Sequence, residues 1–180
     1  MSLLDRISVF LSTGFGVSLL YERFHGKSSY IKDRKHIFKG TGAGFFGTLE
    51  AFVLSIIGVR FEGWLGLLAL SALTLLSVFF TGRAEKALGT KDDSRIVLDE
   101  VIGYFWTVSF IPFALFTLGQ QAAILAAGFV LFRLFDVYKI PSRRIQDIGG
   151  GWGVMMDDVL SGITALAVLS GGIGVLWALR

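Results

Sequence analysis

Seven charged residues stand out in this 180-residue chain because of where they fall. Asp99 and Glu100 open one strongly apolar stretch, Arg133, Asp136 and Lys139 close another, and Asp157 and Asp158 open a third. Arg133, Asp136 and Lys139 recur at intervals of three, so on a helix they form one stripe. Lys and Arg near a membrane surface can extend their heads toward water, but carboxylates are too short to do so far. Asp136 is the hardest to explain as structure alone. It lies at the C-terminal end of its apolar run, where the helix dipole disfavours an anion, so something positive must offset it. Arg133 one turn before, Lys139 one turn after, or a metal ion can do that. Asp157 or Asp158 can cap a helix after the glycines of "IGGGWG", and Asp99 can cap another. A cap accounts for one member of each pair, not both.

The absences narrow the chemistry. There is no cysteine, hence no disulfide, thiolate nucleophile or sulfur-bound metal, and the two histidines, His25 and His36, lie far along the chain from the acidic pairs. A set of hard oxygen donors suits Mg²⁺ rather than Zn²⁺, and Mg²⁺ characteristically takes one or two carboxylates together with substrate phosphate oxygens. Arg133 and Lys139 beside such a site would clamp a phosphoryl group. The expected substrate is an anionic, phosphorylated membrane lipid; nothing points to nucleic acid. No GxxxxGK[ST] phosphate loop is present. "GTGAGFFG" (40–47) is glycine-rich but lacks the strand and βαβ setting of a dinucleotide fingerprint, and reads as small residues that let membrane helices pack closely.

These groups must be held by helices in a bilayer. Hydrophobic residues make up 53% of the chain and charged residues 17%, below the ~25% of soluble domains. Five apolar segments, at about 43–59, 63–81, 100–118, 120–137 and 158–179, approach spanning length. The first is the weakest because Glu50 lies inside it. Apolar residues at 3, 4, 7, 10 and 11 fit an amphipathic helix lying in the interface, and Asp5 and Arg6 argue against a signal peptide. The expectation is an all-α, multi-pass membrane protein, one domain over 1–180, with about five spans and an N-terminal interfacial helix. With alternating orientation, fifteen of the seventeen Lys and Arg fall on one side, Arg60 and Arg180 being the others. Positive charge stays in the cytoplasm, so the long loops and the acidic helix ends are expected at the cytoplasmic face of the inner membrane.

Several stretches are familiar. "IVLDEVIG" (96–103), "AAGFVLFRLFDVYKIP" (126–141) and "GGWGVMMDDVLSG" (150–162) resemble, in order and spacing, three hallmark segments of the phosphatidylglycerophosphatase A family, and "FLSTGFGVSL" (10–19) resembles its N-terminal segment. The resemblance implies a helical inner-membrane, Mg²⁺-dependent phosphatase converting phosphatidylglycerophosphate to phosphatidylglycerol. It implies catalytic or metal-binding roles for Asp99, Glu100, Asp136, Asp157 and Asp158, and phosphate binding by Arg133 and Lys139. Two departures stand out. A longer basic stretch, "HGKSSYIKDRKHIFKGTGAGFFGTL", replaces the family's early Pro-Gly-Thr turn, leaving Gly40-Thr41 or Gly47-Thr48 as its counterpart, and Ile140 separates Lys139 from Pro141.

Three rival readings use some of the same residues. Another lipid phosphomonoester such as phosphatidic acid would suit the same groups. Alcohol phosphatidyltransferases also use membrane carboxylates and metal, but their longer Asp-Gly…Ala-Arg…Gly-xxx-Asp-xxx-Asp run is missing. A small cation channel or transporter using Glu50 and Asp136 would spread its acids through the membrane depth, whereas most here gather at one end.

Overall fold

The computed structural model describes residues 1–25, 42–90, 93–139 and 150–179. Those residues form seven α-helices and one 3₁₀ turn, with no strand among them: α1 (Leu3–Ser12), α2 (Val17–His25), α3 (Gly42–Ile56), α4 (Gly63–Leu88), α5 (Leu98–Val108), the 3₁₀ turn (Phe113–Leu115), α6 (Leu118–Tyr138) and α7 (Gly151–Ala178). Pro141 and most of the basic stretch 21–40 lie outside the described residues.

Among the described residues, three helices are long and apolar enough to cross a bilayer: α4, α6 and α7. About 30 Å of α4 separates Trp64 from Arg83, matching the ~30 Å hydrocarbon thickness. Exposed Trp64 and Trp177 mark one rim of the apolar band, and exposed Tyr138 and Trp152 mark the other, as interfacial aromatics do. The chain is a multi-pass helical membrane protein.

The other two expected spans come out shorter. The 43–59 segment is the 15-residue α3, and Glu50 on it is turned inward against the α1–α2 elbow: a Cβ placed on Gly14 would lie 2.4 Å from its Oε2. The 100–118 segment is not continuous. It begins as the 11-residue α5, breaks at Phe110, which adopts a left-handed φ of 62°, and re-forms as the 3₁₀ turn. The reason lies in α5's position. It is surrounded by α3, α4, α6 and α7 and touched at its start by α1, so Val101, Ile102, Tyr104, Phe105 and Val108 are all buried in protein. A helix that meets no lipid is free of the length a bilayer imposes.

Two polar side chains midway along α5 find partners on its neighbours, as a low-dielectric interior demands. The Tyr104 hydroxyl donates to the Leu125 carbonyl at 3.0 Å and Trp106 Nε1 donates to Thr74 Oγ1 at 3.0 Å. Close approach of α5 to α6 and α7 depends on glycine. A Cβ on Gly103 would meet the Phe132 ring at 2.6 Å and the Asp158 carbonyl at 2.8 Å, and one on Gly162 would meet the Gly103 carbonyl at 2.2 Å.

The N-terminal helix is inside out by soluble standards. Ser8 and Ser12 of α1 are buried while Leu3, Ile7 and Phe10 are exposed, which suits a helix whose outer face meets lipid. A capping box of Ser2 and Asp5 starts it. Asp5 pairs with Arg83 of α4 at 2.9 Å, and the Ser12 carbonyl accepts from the Val97 amide at 2.8 Å. Both of its ends are therefore tied to the same end of the bundle, the arrangement expected of an in-plane helix. A 78° bend leads into α2, made by three consecutive left-handed residues, Gly14, Phe15 and Gly16.

The loop that delivers α5 is also pinned. Ser18 Oγ of α2 donates to the Arg95 carbonyl at 2.5 Å. Burial pushes the Asp93 carboxyl up, but hydrogen bonds from Arg95 and Thr90 overcome it and hold the group at about 2.

Gly162→Ala should destabilise the fold by about 1–3 kcal/mol through overpacking, whereas Gly119→Ala, where an added Cβ meets nothing within 4 Å, should not. Thermal unfolding of the two variants in the same detergent checks the contrast.

Candidate active site

Three helices bring the seven singled-out residues to one end of the bundle. α5 begins after Val97, so Asp99 and Glu100 occupy its first turn, where the helix dipole favours anions. α7 begins at Gly151, which places Asp157 and Asp158 in its second turn rather than at its cap. α6 carries Arg133 and Asp136 in its last turns and ends on Lys139, a left-handed C-cap with φ 53°.

The carboxylates divide into groups. Ligand oxygens of Asp99, Glu100 and Asp158 lie within 4.8 Å of one another. Asp136, buried on α6, faces both Asp158 and Glu100 and accepts from Arg133 Nη1 at 2.7 Å. Lys139 forms an ion pair with Asp157 and stands 4.0 Å from Asp136. Asp136 and Asp157, read from sequence as further metal ligands, are each also engaged by a cation.

Among the described residues the charge does not balance. Five carboxylates gather against two cations there, and two buried oxygens of the three-acid group, Asp99 Oδ1 and Glu100 Oε2, have no hydrogen-bond partner among those residues. Buried polar atoms are nearly always paired, and unpaired anionic oxygens in a low-dielectric setting are costly. Three hard oxygen donors of this kind, with two orphaned atoms among them, fit a divalent cation such as Mg²⁺.

Two residues of this end escape the pattern of charges. Gly44 of α3 lies so near Glu100 that a Cβ there would sit 2.1 Å from Oε1, and Thr48 Oγ1, fully buried, accepts from Arg133 Nη1 at 3.4 Å. Their sequence signal was the glycine-rich run before Thr48. Its reading as a packing feature holds in part, since a Cβ on Gly47 would meet Val97 at 2.8 Å, yet Gly44 packs against the acid group itself.

An end-on cluster of acids, two cations beside it and a buried central helix is the geometry, and comparison with known proteins gives it a context. The family model described as "Phosphatidylglycerophosphatase A" matches residues 12–172. The chain belongs to the phosphatidylglycerophosphatase A family. The matched region contains all seven charged residues as well as Gly44 and Thr48. The chain is 33% identical over 172 residues to phosphatidylglycerophosphatase A of Haemophilus influenzae, covering 94% of this chain and 90% of that protein. It is 33% identical over 144 residues to a Bacteroides thetaiotaomicron protein provisionally named a phosphatidylinositol-3-phosphatase, covering 73% of this chain and 87% of that one. It is also 33% identical over 96 residues to phosphatidylglycerophosphatase A of Escherichia coli, about half of each chain (52%). No solved structure matches it. Membership in the phosphatidylglycerophosphatase A family makes the chain an enzyme of the phosphoric monoester hydrolase class.

Crowding of like charge is destabilising until a cation enters. Asp99→Asn should therefore raise the melting temperature of the metal-free protein by roughly 2–4 °C, the equivalent of about 1 kcal/mol. Melting curves recorded with a chelator present would check it, and a lower melting temperature would show that the three acids do not repel.

Proposed function

We propose that this protein hydrolyses the terminal phosphate of phosphatidylglycerophosphate, giving phosphatidylglycerol and phosphate, with Mg²⁺ held by Asp99, Glu100 and Asp158 at the cytoplasmic face of the inner membrane. The observation that carries the reading is the group of three acids within 4.8 Å of one another, with unpaired buried oxygens, beside two cations at the end of a membrane bundle. Acids alone would repel a phosphomonoester; a divalent ion held among them, with two cations beside it, would give its oxygens positive groups to contact.

A divalent ion, when bound, supplies Lewis-acid polarisation of a phosphoryl oxygen. The chain's own groups do the rest. Arg133, planar and multiply donating, suits bidentate contact with phosphate oxygens, while Lys139 offers a point charge. Asp136 holds Arg133 in place from one corner. A carboxylate of the site either removes the proton from the attacking water or attacks phosphorus itself, forming an aspartyl phosphate that water then cleaves. In both routes the P–O bond to the glycerol breaks, and the leaving oxygen takes up a proton.

The orientation rests on the charge asymmetry of the loops, and Arg83, Lys86 and Lys139 lie at the site end of their helices. The Bacteroides relative's name favours a second reading, in which the headgroup is an inositol phosphate. Arg133 and Lys139 address only the phosphate, so both headgroups suit them.

The test is phosphate release by purified protein in detergent micelles from phosphatidylglycerophosphate, phosphatidylinositol 3-phosphate and phosphatidic acid, with Mg²⁺ or with chelator. Release is expected from the first, with Mg²⁺ only. Asp158→Asn and Asp136→Ala are expected to lower turnover on the order of a hundredfold or more while still inserting into membranes. Normal turnover in both variants refutes the assignment. Because the chain has no cysteine, Lys86→Cys gives a single reporter thiol. In intact cells it should be shielded from a membrane-impermeant thiol reagent, and labelling from outside would reverse the orientation.

A further inference from the structure

We propose that Thr48 is a positioning residue: it fixes the Arg133 guanidinium so that its remaining donors face the substrate phosphate. The inference rests on the phosphatase reading of the site and adds a residue that neither the charge pattern nor the acid cluster singles out.

Arg133 is held by one nitrogen. Nη1 donates to Asp136 Oδ2 at 2.7 Å and to Thr48 Oγ1 at 3.4 Å, and no hydrogen bond to a described residue is made by Nε or Nη2. A guanidinium tied only to Asp136 could pivot about that contact, because an Arg–carboxylate pair also has a two-pronged alternative in which both nitrogens turn onto the acid. The second contact removes that freedom. With Nη1 fixed from α6 by Asp136 and from α3 by Thr48, the other edge of the fork keeps its donors for phosphate oxygens.

Thr48 is itself well fixed. Its side chain is fully buried, and its hydroxyl proton is donated to the Gly44 carbonyl one turn back at 3.0 Å. With the proton committed there, Oγ1 presents its acceptor side to Arg133. Gly44 completes the arrangement. It admits the Glu100 carboxylate to the first turn of α3, and a Cβ in its place would also stand 3.4 Å from Arg133 Nη1. The same helical turn therefore sets the separation between an acid of the three-acid group and the phosphate-binding cation. Valine at 48 keeps the side-chain shape but loses the acceptor; serine keeps the acceptor.

The experiment compares wild type, Thr48→Val, Thr48→Ala and Thr48→Ser as full chains in detergent with Mg²⁺. It measures Kd for inorganic phosphate, and KM and kcat on phosphatidylglycerophosphate, with melting curves to confirm folding. Thr48→Val and Thr48→Ala should each weaken phosphate binding about tenfold, the value of one hydrogen bond to a charged group, and raise KM more than they lower kcat. Thr48→Ser should recover the wild-type Kd to within about threefold. In an Arg133→Lys background, which has no fork to orient, Thr48→Val should change Kd less than about twofold. Unchanged phosphate binding in Thr48→Val or Thr48→Ala overturns the proposal. So does equal impairment by serine and valine, or an undiminished effect in the Arg133→Lys background. A wild-type protein that binds phosphate yet releases none from the lipid would refute the phosphatase reading and leave the Kd comparison to decide Thr48. A wild type that binds no phosphate would overturn the inference itself.

Discussion

Uncompensated negative charge at the end of an apolar bundle is the constraint around which the rest is arranged. Among the described residues five carboxylates meet two cations, and the three closest acids share a space under 5 Å across. A bilayer protein gains nothing in stability from such a cluster, since each acid resists removal from water and repels its neighbours. The surrounding fold works to hold it in place. The acids of α5 sit in a first turn, where the helix dipole favours anions. Glycines at 44, 103 and 162 bring the helices close, and α1 clamps the Val97 amide just before Asp99. Stability spent at one place and recovered elsewhere is the usual mark of a functional site.

That arrangement explains why α5 is short. If α5 crossed the membrane as an outer helix, its apolar side chains would face lipid and its acidic start would lie at the bundle's edge. Placed at the centre, it presents Asp99 and Glu100 toward α3, α6 and α7 at once. Its buried Tyr104 and half-buried Trp106 find partners on α6 and α4, which a lipid-facing helix could not offer. Composition could not reveal this. Segment 100–118 is apolar whether its neighbours are lipid tails or helices, so hydropathy reads length and not surroundings. The same limitation applies to α1. Its amphipathic spacing was legible, but only the folded bundle shows that the serine face is the buried one.

The charged residues were more legible than the elements carrying them. Acids interrupting apolar runs are conspicuous, their order matched a known family, and the structure brings all seven to one end. Gly44 and Thr48 were not legible as site residues, because a small residue and a hydroxyl on a glycine-rich helix look the same whether they pack against a neighbour's backbone or against its charges. The cap roles weighed for Asp157 and Asp158 fail for a simpler reason: α7 starts at Gly151, earlier than the apolar run suggests, so both aspartates lie inside the helix.

The two tandem acidic pairs resolve differently, and helix geometry accounts for the difference. Neighbouring residues on a helix diverge by about 100°, so a pair of equal-length side chains cannot readily serve one point. On α7, Asp158 joins the three-acid group while Asp157 turns to Lys139. On α5 both members reach the same group. Glu100 is one methylene longer than Asp99, and its carboxylate occupies the space that a side chain on Gly44 would fill. The Asp-Glu order and the glycine on the facing helix are therefore one device, a long acid paired with a missing side chain. The Asp-Asp order at 157–158 is another, dividing a single helical turn between the cluster and the cation beside it.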